Sequence, residues 1–260
     1  MSKVLEINKN NFMKDYKMTN TSSVIATALS SKATEHLEPF MSFQISDIDT
    51  TLLLTFAILG YLLGSIPFGL VLTRLAGLGD IRKIGSGNIG ATNVLRTGHW
   101  GLALLTVILD TSKAAIAALV PAIMFNYISC HGNSVCYANF ILASLIAGTC
   151  AILGHNFPIW LKFKGGKGVA STFGFILVTA PAVGGLAFLT WIVVAFITRY
   201  SSLSAITAAV LVPVYAYFLT TPVHTIFYTA IAVLVLYRHR SNIVRLIKGE
   251  ESKISFKKKK

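Results

Sequence analysis

Carboxylates are scarce in this chain. Its 260 residues hold 10 Asp and Glu against 23 Lys and Arg, and between Thr51 and Arg245 the only acids are Asp80 and Asp110. Hard cations need clustered carboxylates, so a two-metal or Mg²⁺-diphosphate mechanism has no ligands here. The aspartate cluster of a CDP-alcohol phosphotransferase is missing as well. Cysteine is rare too. Cys130, Cys136 and Cys150 show no CxxC or CxxH spacing and are too few for a metal cage. Cys130 and Cys136 flank one loop and are expected to pair if it faces an oxidising space. No GxSxG or Cys/His nucleophile arrangement appears, which argues against a covalent enzyme intermediate. The sequence calls for no metal and no cofactor.

Apolar residues are abundant. They make up 54% of the chain, with 13% charged and a mean hydropathy of +0.67. Such values belong to integral membrane proteins. Runs of about 17–25 apolar residues can each cross a hydrocarbon core of roughly 30 Å. Residues 1–40 are polar and lack the basic-then-apolar pattern of a signal peptide. They read as a disordered extension, or as an over-called start, since Met41 shortly precedes the first apolar run.

Spans are expected at about 51–75, 100–125, 137–153, 169–180, 183–198, 203–219 and 223–237. Gly60, Gly64, Ser65 and Gly69 give the first a small-residue stripe for close helix packing, and Pro67 should kink it. Asp110 and Lys113 lie one turn apart within the second span and share a face. Charge inside a span is costly; this pair either locks packing beside a cavity or takes part in chemistry. The fourth span is short and is expected to extend back into the basic segment before it.

Lys and Arg fall in loops one, three and five and at the C-terminus, while loops two, four and six have none. Positive-inside then gives an all-α membrane protein of seven transmembrane helices, N-terminus outside and C-terminus cytoplasmic. The formal charge of +13 is thereby a matter of topology and lipid contact, not of nucleic acid. Residues 41–251 form the membrane domain, and residues 252–260 a basic tail suited to anionic lipid heads.

Three polar segments fall on the cytoplasmic side. The first, IGSGNIGATNVLR at 84–96, combines Gly85, Ser86, Gly87, Asn88, Gly90, Thr92, Asn93 and Arg96. Glycines let successive N–H groups point inward around an anion, and Arg96 adds a planar charged fork. The second runs from Gly154-His155-Asn156 through FPIWLKFKGGKG at 157–168, with Lys162, Lys164, Gly165, Gly166, Lys167 and Gly168. Apolar and basic together, it reads as an interfacial or re-entrant segment. It is not a P-loop, because the GxxxxGK[ST] spacing is absent. The third, Arg238-His239-Arg240-Ser241-Asn242, abuts the last span. Side chains of this kind bind phosphates and hold a hydroxyl against an activated acyl carbon, which is catalysis by positioning and electrostatics.

SGNIGATNVLR, GHNFPIWLKFKGGKGVAST and RHRSNIVRLIKGEE closely resemble three motifs of the bacterial acyl-phosphate:glycerol-3-phosphate acyltransferases of PlsY type. GSIPFG at 64–69 and the Asp110/Lys113 pair look similar too, so the resemblance covers roughly residues 51–251. It implies an inner-membrane enzyme, its active site facing the cytoplasm. The enzyme would move a fatty acyl group from acyl phosphate to the sn-1 hydroxyl of glycerol 3-phosphate, yielding lysophosphatidic acid and phosphate. It further implies a partner enzyme that makes acyl phosphate. Carried over by motif, Ser86, Arg96, Lys167, His239 and Asn242 would be catalytic. Gly87, Asn88, Thr92, Asn93, Gly165, Gly166, Gly168 and Arg240 would bind substrate or phosphate, with Asp110, Lys113, His155 and Asn156 in support. The base is either His239, whose ordinary pKa suits it, or the donor's own phosphate. The competing class is an organic-anion transporter, which also needs spans and a basic pocket.

Overall fold

The structure, a computed structural model, describes residues 49–128 and 134–254. The expected extension at residues 1–40 and the Cys130 half of the expected disulfide lie outside these residues. The described chain is helical: α1 Thr50–Gly64, α2 Phe68–Leu75, α3 Ala91–Val94, α4 Trp100–Ile128, α5 Ser134–Asn156, α6 Val169–Thr179, α7 Pro181–Thr198, α8 Ser201–Leu219, α9 Pro222–Arg238 and α10 Arg240–Ile247. Among the described residues, five stretches are long and apolar enough to cross a membrane: Thr50–Leu75, Trp100–Met124, Val135–Leu161, Pro181–Thr198 and Ser201–Leu219. α6 and α9 are apolar but shorter.

The small-residue stripe does what its spacing suggests. A Cβ on Gly60 would stand 2.3 Å from the Ala147 carbonyl oxygen, and one on Gly64 2.0 Å from that of Ala151. α1 and α5 therefore meet backbone to backbone, a contact only glycine permits. Around this seam the core is rich in small residues: Ala114, Ala118, Ala143, Ala147 and Ala151 are buried, with Phe56, Phe175 and Tyr228 as its aromatic members. The outward faces carry Phe196, Ile197 and Phe218, each largely exposed. A protein whose solvent is lipid has no reason to hide them.

Pro67 does more than kink the first span. The helix stops at Gly64 and restarts at Phe68, leaving the Ile66 carbonyl outside the helical ladder. Lys113 Nζ from α4 donates to that oxygen at 3.0 Å. The buried lysine thus meets the requirement that a broken membrane helix find partners for its freed backbone. One expectation fails. α6 does not extend back into the basic segment; it begins at Val169 after Gly168, whose φ of +81° turns the chain. At 11 residues and about 1.5 Å per residue, α6 is only about 16 Å long.

Candidate active site

The loop between α2 and α4 is organised from within by Asn93. This residue is 1% exposed, and its Nδ2 donates to the carbonyls of Ile81 (2.9 Å), Ile84 (3.2 Å) and Asn88 (2.8 Å). Its Oδ1 accepts from the Ser86 N–H at 3.1 Å. Asn93 was expected to face a phosphate; instead its amide is spent holding three parts of the loop together. Beneath it, Leu70, Ile81, Ile89, Val94 and Ala103 form a small apolar core. Gly85 and Gly87, at φ +54° and +67°, occupy backbone that L-residues rarely adopt. Ser86 and Thr92 are left exposed on the surface, while Asn88 Oδ1 turns inward onto the Gly90 N–H.

The GGKG loop rests on the end of α5. Gly165 N–H donates to the Asn156 carbonyl (3.2 Å) and Gly166 N–H to that of His155 (3.0 Å). Gly166 packs so tightly over the imidazole that a Cβ there would meet His155 Nε2 at 2.0 Å. Below, His155 Nδ1 lies 2.9 Å from Lys113 Nζ and 3.5 Å from Asp110 Oδ1, which pairs with Lys113 at 2.9 Å. Asp110, Lys113 and His155 are all buried. From above, Arg238 donates to the carbonyls of Gly165 (2.8 Å) and Gly166 (2.7 and 3.0 Å) and stacks on Phe157. The loop is clamped on both sides, and it delivers Lys167 beside the start of α6. That helix has no side-chain cap, so its first N–H groups and its dipole are available to an anion. The fully buried Asn156 amide lies against Gly168, with no hydrogen-bond partner among the described residues.

Here the three motifs meet. Lys167 Nζ donates to Asn242 Oδ1 at 2.5 Å, and Asn242 Nδ2 donates to Glu251 Oε1 at 2.7 Å. Glu251 also accepts from Ser202 Oγ (2.7 Å) and Arg245 Nε (2.6 Å). Arg96 reaches the same segment through Ser252 Oγ at 2.8 Å. Burial alone would raise the Glu251 carboxyl, but hydrogen bonds from Ser202, Asn242 and Arg245 hold it below its ordinary value. Burial lowers Lys167 to about 8; Glu251 opposes this, while Arg245, Arg96 and Arg238 add to it. Lys167 is therefore a cation at neutral pH, and an arriving phosphate would relieve its crowding by like charges.

His239 is 2% exposed, and its Nδ1 lies 2.8 Å from the Val235 carbonyl. A carbonyl only accepts, so Nδ1 carries the proton and Nε2 the lone pair. Burial lowers its pKa to about 4, with Lys167 and Arg238 contributing. It is neutral at pH 7.

Comparison with known proteins decides what these motifs belong to. Residues 54–249 match the glycerol-3-phosphate acyltransferase family. The glycerol-3-phosphate acyltransferase of Rhodospirillum rubrum is 58% identical over 203 residues, covering 78% of this chain and 91% of the relative. That of Allorhizobium ampelinum is 47% identical over 216 residues, 83% of this chain and 99% of the relative. The chain belongs to the glycerol-3-phosphate acyltransferase family. Its fold is like that of PlsY, an integral membrane glycerol 3-phosphate acyltransferase solved in a glycerol 3-phosphate form, with TM-score 0.69 and 34% identity over 78% of this chain and 96% of that one. This acyltransferase is accordingly a multi-pass integral membrane protein of PlsY type.

Against that identity, the expected residues divide. Lys167, Asn242, His239 and Arg96 gather at the inner cluster, and Asp110, Lys113, His155 and Asn156 lie beneath its loop. Arg240 points away, exposed and stacked on Tyr237 at 4.6 Å. Some participants are not among the expected residues, Arg238, Glu251 and Ser202 foremost. Arg238 sits inside a recognised motif, but nothing in sequence tells it from Arg240. Glu251 ends that motif, yet its partners come from α8 and α10. Ser202 carries no local signal at all.

Proposed function

We propose that this acyltransferase moves a fatty acyl group from acyl phosphate to the sn-1 hydroxyl of glycerol 3-phosphate. Supporting this reading is one observation above others, the convergence of three distant motifs: Lys167 bonds Asn242, which Glu251 holds, Arg96 reaches the neighbouring Ser252, and the buried His239 lies close enough for Lys167 and Glu251 to act on its pKa. The acyl carbon–oxygen bond of the mixed anhydride breaks and the glycerol hydroxyl oxygen forms the new ester. The hydroxyl proton passes to the departing phosphate, giving lysophosphatidic acid and inorganic phosphate.

In this scheme Lys167, Arg96 and the N-terminus of α6 hold phosphate oxygens, stabilising charge as the anhydride opens. Ser86 and Thr92 supply further hydroxyl donors at the loop surface, beside the backbone of Gly87 and Asn88. Asn242 aligns Lys167, and His239 presents Nε2 as an acceptor that orients the glycerol hydroxyl. The donor's phosphate takes the proton; it is the more basic acceptor beside a histidine whose pKa is only about 4. Seven spans follow if α6 and α9 cross together with the five longer stretches. The positive-inside rule then puts the N-terminus outside and the site at the cytoplasmic face of a bacterial inner membrane, where a partner enzyme would supply acyl phosphate.

The test uses detergent-purified protein with palmitoyl phosphate and labelled glycerol 3-phosphate. Donor-dependent lysophosphatidate is expected from wild type and not from folded Arg96→Ala or Lys167→Ala. A folded wild type inert with both palmitoyl phosphate and palmitoyl-CoA, yet exchanging labelled glycerol 3-phosphate across liposomes, would replace the acyltransferase reading with transport.

A further inference from the structure

The GGKG loop has a second face. An open pocket of about 530 Å³ lies between this loop and the first polar loop, lined by Asp80, Arg82, Lys83, Phe163, Lys164 and Arg238 together with Gly87 and Gly165. None of Arg96, Lys167, His239 or Asn242 lines it. Four cations surround one carboxylate, and that carboxylate is already committed. Asp80 accepts from Arg82 Nε (2.9 Å), Arg82 Nη2 (2.6 Å) and the Arg82 N–H (3.0 Å), and pairs with Arg74 at 3.3 Å. It orients Arg82 and leaves the pocket a surplus of positive charge. Lys83 and Lys164 have no ion-pair or hydrogen-bond partner for their ammonium groups among the described residues.

The wall opposite is held in an unusual conformation. Lys162 and Phe163 are consecutive non-glycine residues at φ +51° and +61°. Hydrogen bonds from the N–H groups of Phe163 to Pro158 (3.0 Å), Lys164 to Leu161 (3.1 Å) and Gly165 to Asn156 (3.2 Å) hold the turn there. Strain of this kind persists only where surroundings impose it. Its result is that Lys164 and Phe163 both line the pocket, a cation beside an exposed ring. Ile159 and Trp160, a few residues earlier in the same segment, are exposed as well.

We propose that this pocket is a second anion site, taking a phosphate monoester between the GGKG loop and the first polar loop, apart from the side chains of Arg96, Lys167, His239 and Asn242. It rests on the acyltransferase reading only in that both substrates of that reaction, and both its products, carry phosphate. Its volume suits one small ligand or one headgroup. Uncommitted ammoniums beside guanidinium groups suit a dianion. Two sources share this chemistry: soluble glycerol 3-phosphate, and lysophosphatidate, whose chain would leave the pocket past Phe163.

The test is calorimetric titration of detergent-purified Lys167→Ala protein, with the inner cluster disabled, using glycerol 3-phosphate, lysophosphatidate and phosphatidylcholine separately. Adding Lys83→Ala and Lys164→Ala should weaken a phosphate monoester about tenfold, as expected for loss of two charge-assisted contacts. Adding Lys248→Ala and Lys253→Ala, an equal loss of charge elsewhere, should not. Loss confined to lysophosphatidate names the lipid source, and loss for both ligands the soluble headgroup. Thermal midpoints matched across variants exclude misfolding. Equal affinity with and without Lys83 and Lys164, no binding to the Lys167→Ala protein, or equal retention of phosphatidylcholine would each overturn the proposal. Acyl transfer by wild type is assayed apart, so the activity can stand while this site falls.

Discussion

Two loops build this site, and they are made differently. The loop at 84–96 is self-contained: one side chain, Asn93, ties its backbone together at Ile81, Ile84 and Asn88. The inner cluster has no such local organiser. Lys167 is aligned by Asn242, Asn242 by Glu251, and Glu251 by Ser202 and Arg245, links that tie together the GGKG loop, α10, the C-terminal segment and α8. A loop that folds on itself can present donors wherever its chain goes. A cluster of links fixes one ammonium in place, and its position then depends on every member.

The largest break in that comparison should come from Lys167→Ala. Removing a positioned cation from a site that works by electrostatics is expected to lower kcat/KM by about 10³-fold, with the thermal midpoint little changed. Wild type should also lose activity as pH rises through about 8, where the Lys167 ammonium gives up its proton. Lys167→Arg, charged throughout that range, should show weak activity without this alkaline limb. An unshifted limb in the arginine variant would remove Lys167 as its source.

Glu251→Gln sharpens the chain of links. Rate is expected to fall about 10–100-fold, as for loss of a hydrogen-bonded charged partner. The sign of the pH effect separates electrostatics from structure. Glu251 holds the Lys167 pKa up, so its neutralisation should move the alkaline limb below pH 8. A drop in rate with an unmoved limb would make Glu251 a structural strut only.

Much of this was legible in the sequence, and the division follows the same physics. The small-residue stripe, the Pro67 break and the Asp110/Lys113 pairing rest on spacing along one helix, which periodicity reports directly. The three motifs were visible because polar residues crowd where an apolar chain has no structural use for them. What stayed hidden depends on which distant elements touch. Ser202 follows a loop of ordinary composition, and Arg238 differs from Arg240 only in which face of a helix end it occupies. Asn93 misled for a related reason: an amide that suits a phosphate suits three carbonyls equally well, and only burial tells them apart. α6 misled through length, since a short apolar run beside basic residues invites extension until Gly168 is seen to turn the chain.

Asn93→Ala tests whether the first loop is as independent as it looks. Both amide hydrogens lose the three carbonyls they are shared among, at about 1 kcal/mol for each hydrogen. Hydrogen exchange across 84–92 should accelerate strongly, while amides of α5 and α9 keep their protection. The KM for a phosphate substrate should rise about tenfold, as loss of pre-organisation predicts, with Lys167's alkaline limb unmoved. Loosening that spreads to the GGKG loop would show the two loops to be one cooperative unit.

The smallest effect is expected at the hydrogen bond by which the first loop reaches the C-terminal segment. Arg96 donates to Ser252 Oγ at 2.8 Å, but the contact is exposed, and water can replace the hydroxyl at little cost. Ser252→Ala should therefore raise a substrate KM by no more than about threefold, consistent with a net bond of about 0.5 kcal/mol, with kcat unchanged. Thr at this position keeps the hydroxyl and should restore the wild-type KM. A larger loss from Ser252→Ala, rescued by Thr, would mean that Arg96 depends on this contact for its aim. The first loop would then be organised from outside as well as from within, and the contrast between the two loops would narrow to a difference of degree.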